Sequence, residues 1–237
     1  MDLSIVMAFK PDKGLRDRHL AWTLERYKRM FPLAEIIVSA DNSATGAAWN
    51  GFCKSKHINQ GVDAAKNQNI LITDIDVILN KEAILAGIAA IEQYCCILPY
   101  NVLYKLNAGS SNRVLIRKPV ETMPPTPLQR QQKNIIVKNK PQGIHLIRKE
   151  DFMKMGGYDE RFIGWGSEDS CFQLACRTIL EKDIGYMEYD AYHLKHPIMK
   201  NRQQERDERV GHLVEKYHEA LNDKEKMRAI IEERAKE

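Results

Sequence analysis

Ile70-Leu71-Ile72-Thr73-Asp74-Ile75-Asp76-Val77-Ile78-Leu79 is an apolar run that carries two carboxylates. Its β-branched residues, its length and the flanking Asn69 and Asn80 read as a strand buried on both faces. Side chains alternate along a strand, so Asp74 and Asp76 are expected to point the same way and Ile75 the opposite way. Two like charges beside an apolar run are costly unless a cation neutralises them or the strand end is solvated. Both readings stand at this point. An oxygen-rich pair suits Mg²⁺ or Mn²⁺, which keep waters and also accept phosphate oxygens.

Working back from this run, residues 3–9 form a short apolar strand closed by the turn signal Pro11-Asp12-Lys13-Gly14. Leu20, Leu24, Tyr27 and Phe31 recur at helical spacing before Pro32. Glu35-Ile36-Ile37-Val38-Ser39-Ala40 is a second strand with Asp41 at its end, and a helix covers about 54–67. The order strand, helix, strand, helix, strand predicts a largely parallel sheet with right-handed crossovers. Ligands in such sheets sit beyond the C-terminal strand ends, where Asp41, Asp74 and Asp76 all fall.

The chain has 237 residues, enough for one sizeable α/β domain with an appendage. Its net charge of +4 does not by itself indicate a nucleic-acid partner. Five cysteines without a C-x-x-C pair argue against a disulfide framework or a structural zinc site and point to a reducing, cytoplasmic setting. Residues 1–9 are too short for a signal segment, and no apolar run reaches membrane-spanning length.

Downstream, 81–94 reads as a helix and 95–99 as a strand. Residues 101–140 hold eight basic side chains against the single acid Glu121, with the loop compositions Asn107-Ala108-Gly109-Ser110-Ser111-Asn112 and Pro124-Pro125-Thr126-Pro127. This segment is either a solvated loop or a contact for an anionic ligand. A strand at 143–148 and a short helix to 155 lead into Gly156-Gly157-Tyr158-Asp159-Glu160-Arg161-Phe162-Ile163-Gly164-Trp165-Gly166-Ser167-Glu168-Asp169. Ser167 is expected to cap the following helix, with Glu168 and Asp169 in its first turn, where the helix dipole stabilises acids whatever else they do. A strand over 184–189 precedes Tyr192-His193-Leu194-Lys195-His196-Pro197, and a helical tail with a break at Asn222-Asp223 closes the chain.

The apolar strand ending in Asp74-Ile75-Asp76, the 156–169 block and Ala191-Tyr192-His193 appear in an order and spacing that resembles the GT-A nucleotide-sugar glycosyltransferases. The likeness is to family 2 enzymes and to the galactosyltransferase-type C-terminal module with its Gly-Trp-Gly-x-Glu-Asp motif. It implies a Rossmann-like, mostly parallel central sheet flanked by helices. The domain would span 1–200: a nucleotide-binding half over 1–100, the basic insertion 101–140 and an acceptor and catalytic half over 141–200. The helical tail would take 201–237. The resemblance further implies that Asp76 holds Mn²⁺ or Mg²⁺, with Asp74 on that metal or the donor ribose and His193, or His196 in its place, as a further ligand. Asp41, Phe9, Lys56 and Asn59 would contact the nucleotide. Asp169 would be the general base, Glu168 would bind acceptor or sugar hydroxyls, and Trp165 and Gly166 would border the sugar.

A haloacid-dehalogenase-type phosphatase also opens on Asp-x-Asp, but its next residue is usually Gly where this chain has Val77, and here two strands precede the motif. A two-metal nuclease needs more converging acids. A non-catalytic nucleotide- or nucleic-acid-binding relative has no need to keep Asp74, Asp76, Asp169 and His193 together. The expected activity is therefore inverting transfer of a hexose from a nucleotide sugar, a UDP-sugar. The acceptor is a saccharide hydroxyl or, in the alternative, a hydroxymethylated pyrimidine in DNA as in phage-type base modification.

Overall fold

A computed structural model describes residues 2–41, 52–117, 119, 135–138, 143–164, 166–197 and 202–234, with the backbone alone over 135–138, 202–207 and at 209. Six strands, β1 (Ser4–Phe9), β2 (Glu35–Ala40), β3 (Asn69–Ile72), β5 (Cys96–Leu98), β8 (His145–Arg148) and β9 (Ile184–Tyr186), form a sheet in the order β2-β1-β3-β8-β5-β9. The β1–β2, β1–β3 and β5–β9 pairs are parallel, whereas β8 runs antiparallel to both neighbours. A second sheet, β4 (Val77–Ile78), β10 (Asp190–His193), β6 (Val102–Lys105) and β7 (Ile135–Lys138), has the order β4-β10-β6-β7. The helices are α1 (Leu15–Met30), α2 (Lys54–Ala64), α3 (Lys81–Ala90), α4 (Ala108–Leu115), α5 (Lys149–Lys154), α6 (Glu168–Leu180), α7 (Arg202–Glu219) and α8 (Lys224–Arg234). This is the expected mixed, mostly parallel α/β architecture.

Every residue of β1 is buried, and its alternation divides the core. Val6 and Ala8 join Ile58 and Val62 of α2, Phe172 of α6, and Leu213, Tyr217 and Ile230 of the tail helices. Leu3, Ile5, Met7 and Phe9 face Tyr27 and Met30 of α1 and Ile84 of α3. The absence of a side chain at Gly61 lets α2 approach β1, because a Cβ there would lie 2.4 Å from Val6 Cγ1. The first turn of α1 is closed by Asp12, whose Oδ1 accepts from Gly14 N, and by Asp17, whose Oδ2 accepts from Asp12 N. The helix stops two residues before Pro32, as expected.

The tail helices are tied to the glycine-rich block by charge as well as by packing. The Tyr217 hydroxyl donates to Asp159 Oδ2 at 3.1 Å, Arg161 pairs with the same carboxylate at 2.9 Å, and Arg234 donates to Tyr217 Oη and to the Met155 carbonyl. Among the described residues no helix is long and apolar enough to cross a membrane.

Two expectations are corrected. The 70–79 run is not one strand: β3 ends at Ile72, Asp74-Ile75-Asp76 makes a turn, and β4 begins at Val77 in the other sheet. Thr73 N still bonds the Val6 carbonyl at 3.0 Å, after which the chain leaves β1 and pairs antiparallel with β10, Val77 opposite His193. The turn lets both carboxylates leave the apolar layer and gives them different neighbours. Second, Asn107–Asn112 is not a loop. The Asn107 side chain accepts from Ser110 N at 2.9 Å and starts α4, which buries Ser110, Ser111 and Val114. A capping side chain and a loop former are the same residue type. Pro124-Pro125-Thr126-Pro127 lies outside the described residues.

Candidate functional site

The Asp74-Ile75-Asp76 turn places one carboxylate in each of two clusters. Asp76, 4% exposed, meets His193 at the end of β10 and His196 just beyond it. His193 Nε2 is 3.7 Å from Asp76 Oδ1, and His196 Nε2 is 3.6 Å from Asp76 Oδ2. The Leu194 N–H donates to the Asp76 carbonyl at 2.8 Å and fixes this register. Each imidazole places Nδ1 against a backbone carbonyl, Leu194 O at 2.8 Å for His193 and Pro197 O at 2.7 Å for His196. A carbonyl only accepts, so Nδ1 carries the proton and Nε2 of the neutral ring presents a lone pair. The two lone pairs and the carboxylate all lie within 4.8 Å of one another.

With both rings in this neutral form, the three groups offer a cation three converging ligand atoms. Ligand atoms about 2.1 Å from one cation stand roughly 3–4 Å apart, which the observed separations match. Carbonyl-anchored Nδ1–H groups are also the usual outer support of metal-ligating imidazoles. The residues therefore fit Mn²⁺ or Mg²⁺, and both histidines converge where one was expected.

The second cluster is built around Lys54, at the first position of α2. Its ammonium lies 2.9 Å from Asp74 Oδ1, 3.6 Å from Asp169 Oδ1 and 3.9 Å from Glu168 Oε1. Burial lowers the pKa of this lysine, but the three carboxylates prevail and raise it well above its usual range. Asp169 and Glu168 open α6 behind Gly164 and Gly166, whose φ values of 83° and 112° belong to glycine. Ser167, between Gly166 and Glu168, has φ 74° and makes no side-chain cap, contrary to the expected capping bond. Instead, the Gly166 N–H donates to Glu168 Oε2 at 3.1 Å. The Gly143 N–H donates to Asp169 Oδ2 at 2.7 Å, while Asp169 Oδ1 is buried without a hydrogen bond among the described residues.

Burial and neighbouring carboxylates raise the pKa of both acids. Glu168 rises from 4.5 to about 7, chiefly by desolvation and then by Asp169. Asp169 rises for the same first reason, against the pull of Lys54 and of the Gly143 N–H. For Glu168 the native state binds an extra proton between 4.5 and about 7, so this contribution to stability is full below 4.5 and is lost as pH rises through 7. The loss amounts to about 3 kcal/mol. We expect Glu168→Gln to gain stability relative to the parent between pH 5 and 8 in urea titrations. The comparison is between proteins because buried His145, whose pKa is depressed to about 3, contributes with the opposite sign in both. A difference that does not change with pH would refute the assignment.

Lys54→Met leaves the buried Glu168 and the half-buried Asp74 and Asp169 without their cation. We expect a loss of about 3 kcal/mol at pH 8, shrinking at pH 5 as Glu168 takes up its proton. Equal losses at both pH values in the same titrations would show that the lysine matters for packing alone.

Residues 138–189 match the family described as the N-terminal domain of galactosyltransferase. The catalytic domain of Drosophila β1,4-galactosyltransferase 7, solved with xylobiose, superposes with a TM-score of 0.50 at 16% identity, covering 87% of this chain and 79% of that one. The chain has a GT-A fold. A mutant of the same Drosophila enzyme, in complex with manganese, UDP-Gal and xylobiose, gives a TM-score of 0.48 at 16% identity over 85% of this chain and 78% of that one. No curated protein matches the chain in sequence. The family match covers β8, α5, the glycine-rich block, α6 and β9, and so contains Glu168 and Asp169 but neither the Asp74–Asp76 turn nor His193.

The remaining expected residues are spread unevenly. Asp41 lies at the end of β2, 3.6 Å from Lys10 Nζ. Phe9 is 5% exposed and packs in the core. Lys56 is exposed on α2. Asn59 grips the glycine-rich block: its Oδ1 accepts from Tyr158 N at 2.8 Å and its Nδ2 donates to Tyr158 O at 3.0 Å. Trp165 lies outside the described residues. Lys54 and Gly143 were not singled out in the sequence, because a lone lysine at a helix start and a lone glycine before a strand carry no pattern.

Proposed function

We propose that the chain transfers a sugar from a nucleoside diphosphate sugar, a UDP-sugar, to a saccharide hydroxyl with inversion, and that a divalent cation is required. The observation that carries this reading is the division of labour across one turn. Asp76, His193 and His196 present three converging ligand atoms on one side, and on the other Asp169 presents a buried oxygen that faces the Lys54 ammonium at 3.6 Å and accepts no hydrogen bond within normal distance among the described residues. When bound, the cation supplies Lewis-acid stabilisation to the departing nucleoside diphosphate.

Asp169 Oδ1 is the atom that takes the acceptor hydroxyl proton as the oxygen attacks the anomeric carbon and the carbon–phosphate-oxygen bond breaks. The Gly143 N–H fixes the other oxygen and so orients the carboxylate, and the raised pKa strengthens it as a base. With Asp169 acting as base, direct attack by the acceptor oxygen is one displacement and hence inverts the anomeric carbon. Glu168 hydrogen-bonds sugar hydroxyls. Lys54 offsets the charge of the three acids.

The xylobiose bound to the Drosophila fold relative favours a saccharide acceptor. A hydroxymethylated pyrimidine in DNA is the second reading, favoured by the basic segment, which begins beside the metal ligands: Lys105 pairs with His193 across β6 and β10. Calorimetry of UDP with Mn²⁺ and again with EDTA tests the donor side, and we expect binding only with the metal. Transfer assays at rising salt separate the acceptors, since DNA transfer falls steeply while transfer to a neutral glycan does not. Absence of UDP binding under both conditions would overturn the UDP reading.

A further inference from the structure

His19 is wholly buried in α1, and neither ring nitrogen has a hydrogen-bond partner among the described residues. Burying an imidazole with both nitrogens unsatisfied is costly, and native structures retain such groups where a water, an ion or a function meets them. The position of His19 says which. One turn further along α1, Thr23, also buried, donates its hydroxyl to the carbonyl of Ile75 at 2.7 Å, so α1 is fastened to the middle of the Asp74–Asp76 turn. Residues four apart share a helix face. His19 thus stands on the face that meets this turn. The groups that act on it electrostatically are Asp76, His196, Arg16 and His193, which are the three candidate metal ligands and one arginine of α1. His19 belongs to the first of these clusters by location, yet it makes no ion pair or hydrogen bond with any of them.

We propose that His19 is a positioning residue of the metal centre: its ring hydrogen-bonds a water held by the cation that Asp76, His193 and His196 bind. The inference rests on the metal reading above. Mn²⁺ and Mg²⁺ keep several waters when few side chains bind them, and a neutral imidazole offers such waters one donor and one acceptor. A water held by the cation would meet a ring nitrogen that no described protein group meets. Arg16 lies near the same place, three residues earlier on α1, and donates its Nε–H to the Lys10 carbonyl at 3.1 Å.

The test is Mn²⁺ binding by the full chain without nucleotide, followed by loss of the free-ion electron paramagnetic resonance signal. It is run on the parent, His19→Phe and His19→Gln, together with thermal unfolding of each metal-free protein. We expect His19→Phe to weaken Mn²⁺ binding 10–100-fold, the range for lost outer-layer partners, while the metal-free protein unfolds at the same or a higher temperature. His19→Gln, which keeps a donor and an acceptor, recovers part of the affinity and serves in place of His19→Phe if that variant does not fold. Unchanged Mn²⁺ affinity in a folded variant overturns the inference and leaves the metal centre standing. A parent protein that does not bind Mn²⁺ at all removes the metal centre and the inference with it.

Discussion

Asp169→Asn is expected to lower kcat for sugar transfer by about 10²–10⁴-fold while donor affinity stays near that of the parent. The substitution keeps shape and the oxygen that accepts from Gly143 N, so α6 should begin as before. What it removes is the basic lone pair at Oδ1, the oxygen that the Gly143 N–H leaves free and that faces Lys54 at 3.6 Å. Single-turnover assays with a UDP-sugar, alongside calorimetry of donor binding, separate the two effects. Near-normal turnover would reassign the base. Glu168 is then the next candidate, since its pKa near 7 also suits a base at neutral pH.

Asp76→Ala is the second large effect. It deletes the one negative ligand of the cation and leaves two imidazole lone pairs facing a void. Metal-dependent UDP binding should fall at least 10³-fold, equivalent to about 4 kcal/mol. Stability in the absence of metal should change less, because removing the carboxylate also relieves its burial. The same titrations, run with and without Mn²⁺, read this directly. An affinity for UDP that survives in the variant and still depends on metal would move the ion elsewhere. His193→Ala and His196→Ala form an informative pair here, since matching losses would show that both rings bind the metal.

Much of the fold was legible because its strands and helices obey local rules. Six buried residues in β1, the Pro32 stop after α1 and the Asn80 side chain accepting from Glu82 N at the start of α3 all follow from neighbours in sequence. The Asp74–Asp76 turn did not. An unbroken apolar run reads as one strand, and the break at Ile72 exists because Val77 and Ile78 find β10, more than 110 residues away in sequence, as their partner. Local pattern cannot report a strand exchange between sheets. Consequently the two acids were expected side by side, whereas Asp74 pairs with Lys54 and Asp76 with the histidines.

The site shows the same divide. Asp76, His193 and Asp169 stand out as residue types in a recognisable order. Lys54 does not, because its significance lies in three carboxylates that meet it only in space. Asn59, expected at the nucleotide, instead bonds both backbone groups of Tyr158, and its residue type alone does not distinguish the two uses. His19 was hidden for a further reason: within a helical pattern it occupies an inward position like any core residue, and it is set apart by ring nitrogens that no described residue hydrogen-bonds.

Gly143 carries a last consequence, for how this protein tolerates change. A Cβ on that residue would lie 2.2 Å from Lys54 Nζ and about 3 Å from both oxygens of Asp169, on a backbone with φ +21°. The lysine cannot swing aside without leaving three acids uncompensated. In a saturation library scored for survival of activity, position 143 should therefore be as intolerant as the acids themselves, although it offers the reaction only an amide hydrogen. Intolerance to substitution marks the walls of this site as strongly as its reactive groups. A map of tolerated changes would outline the space that Lys54 and Asp169 share before it identified which atoms act there.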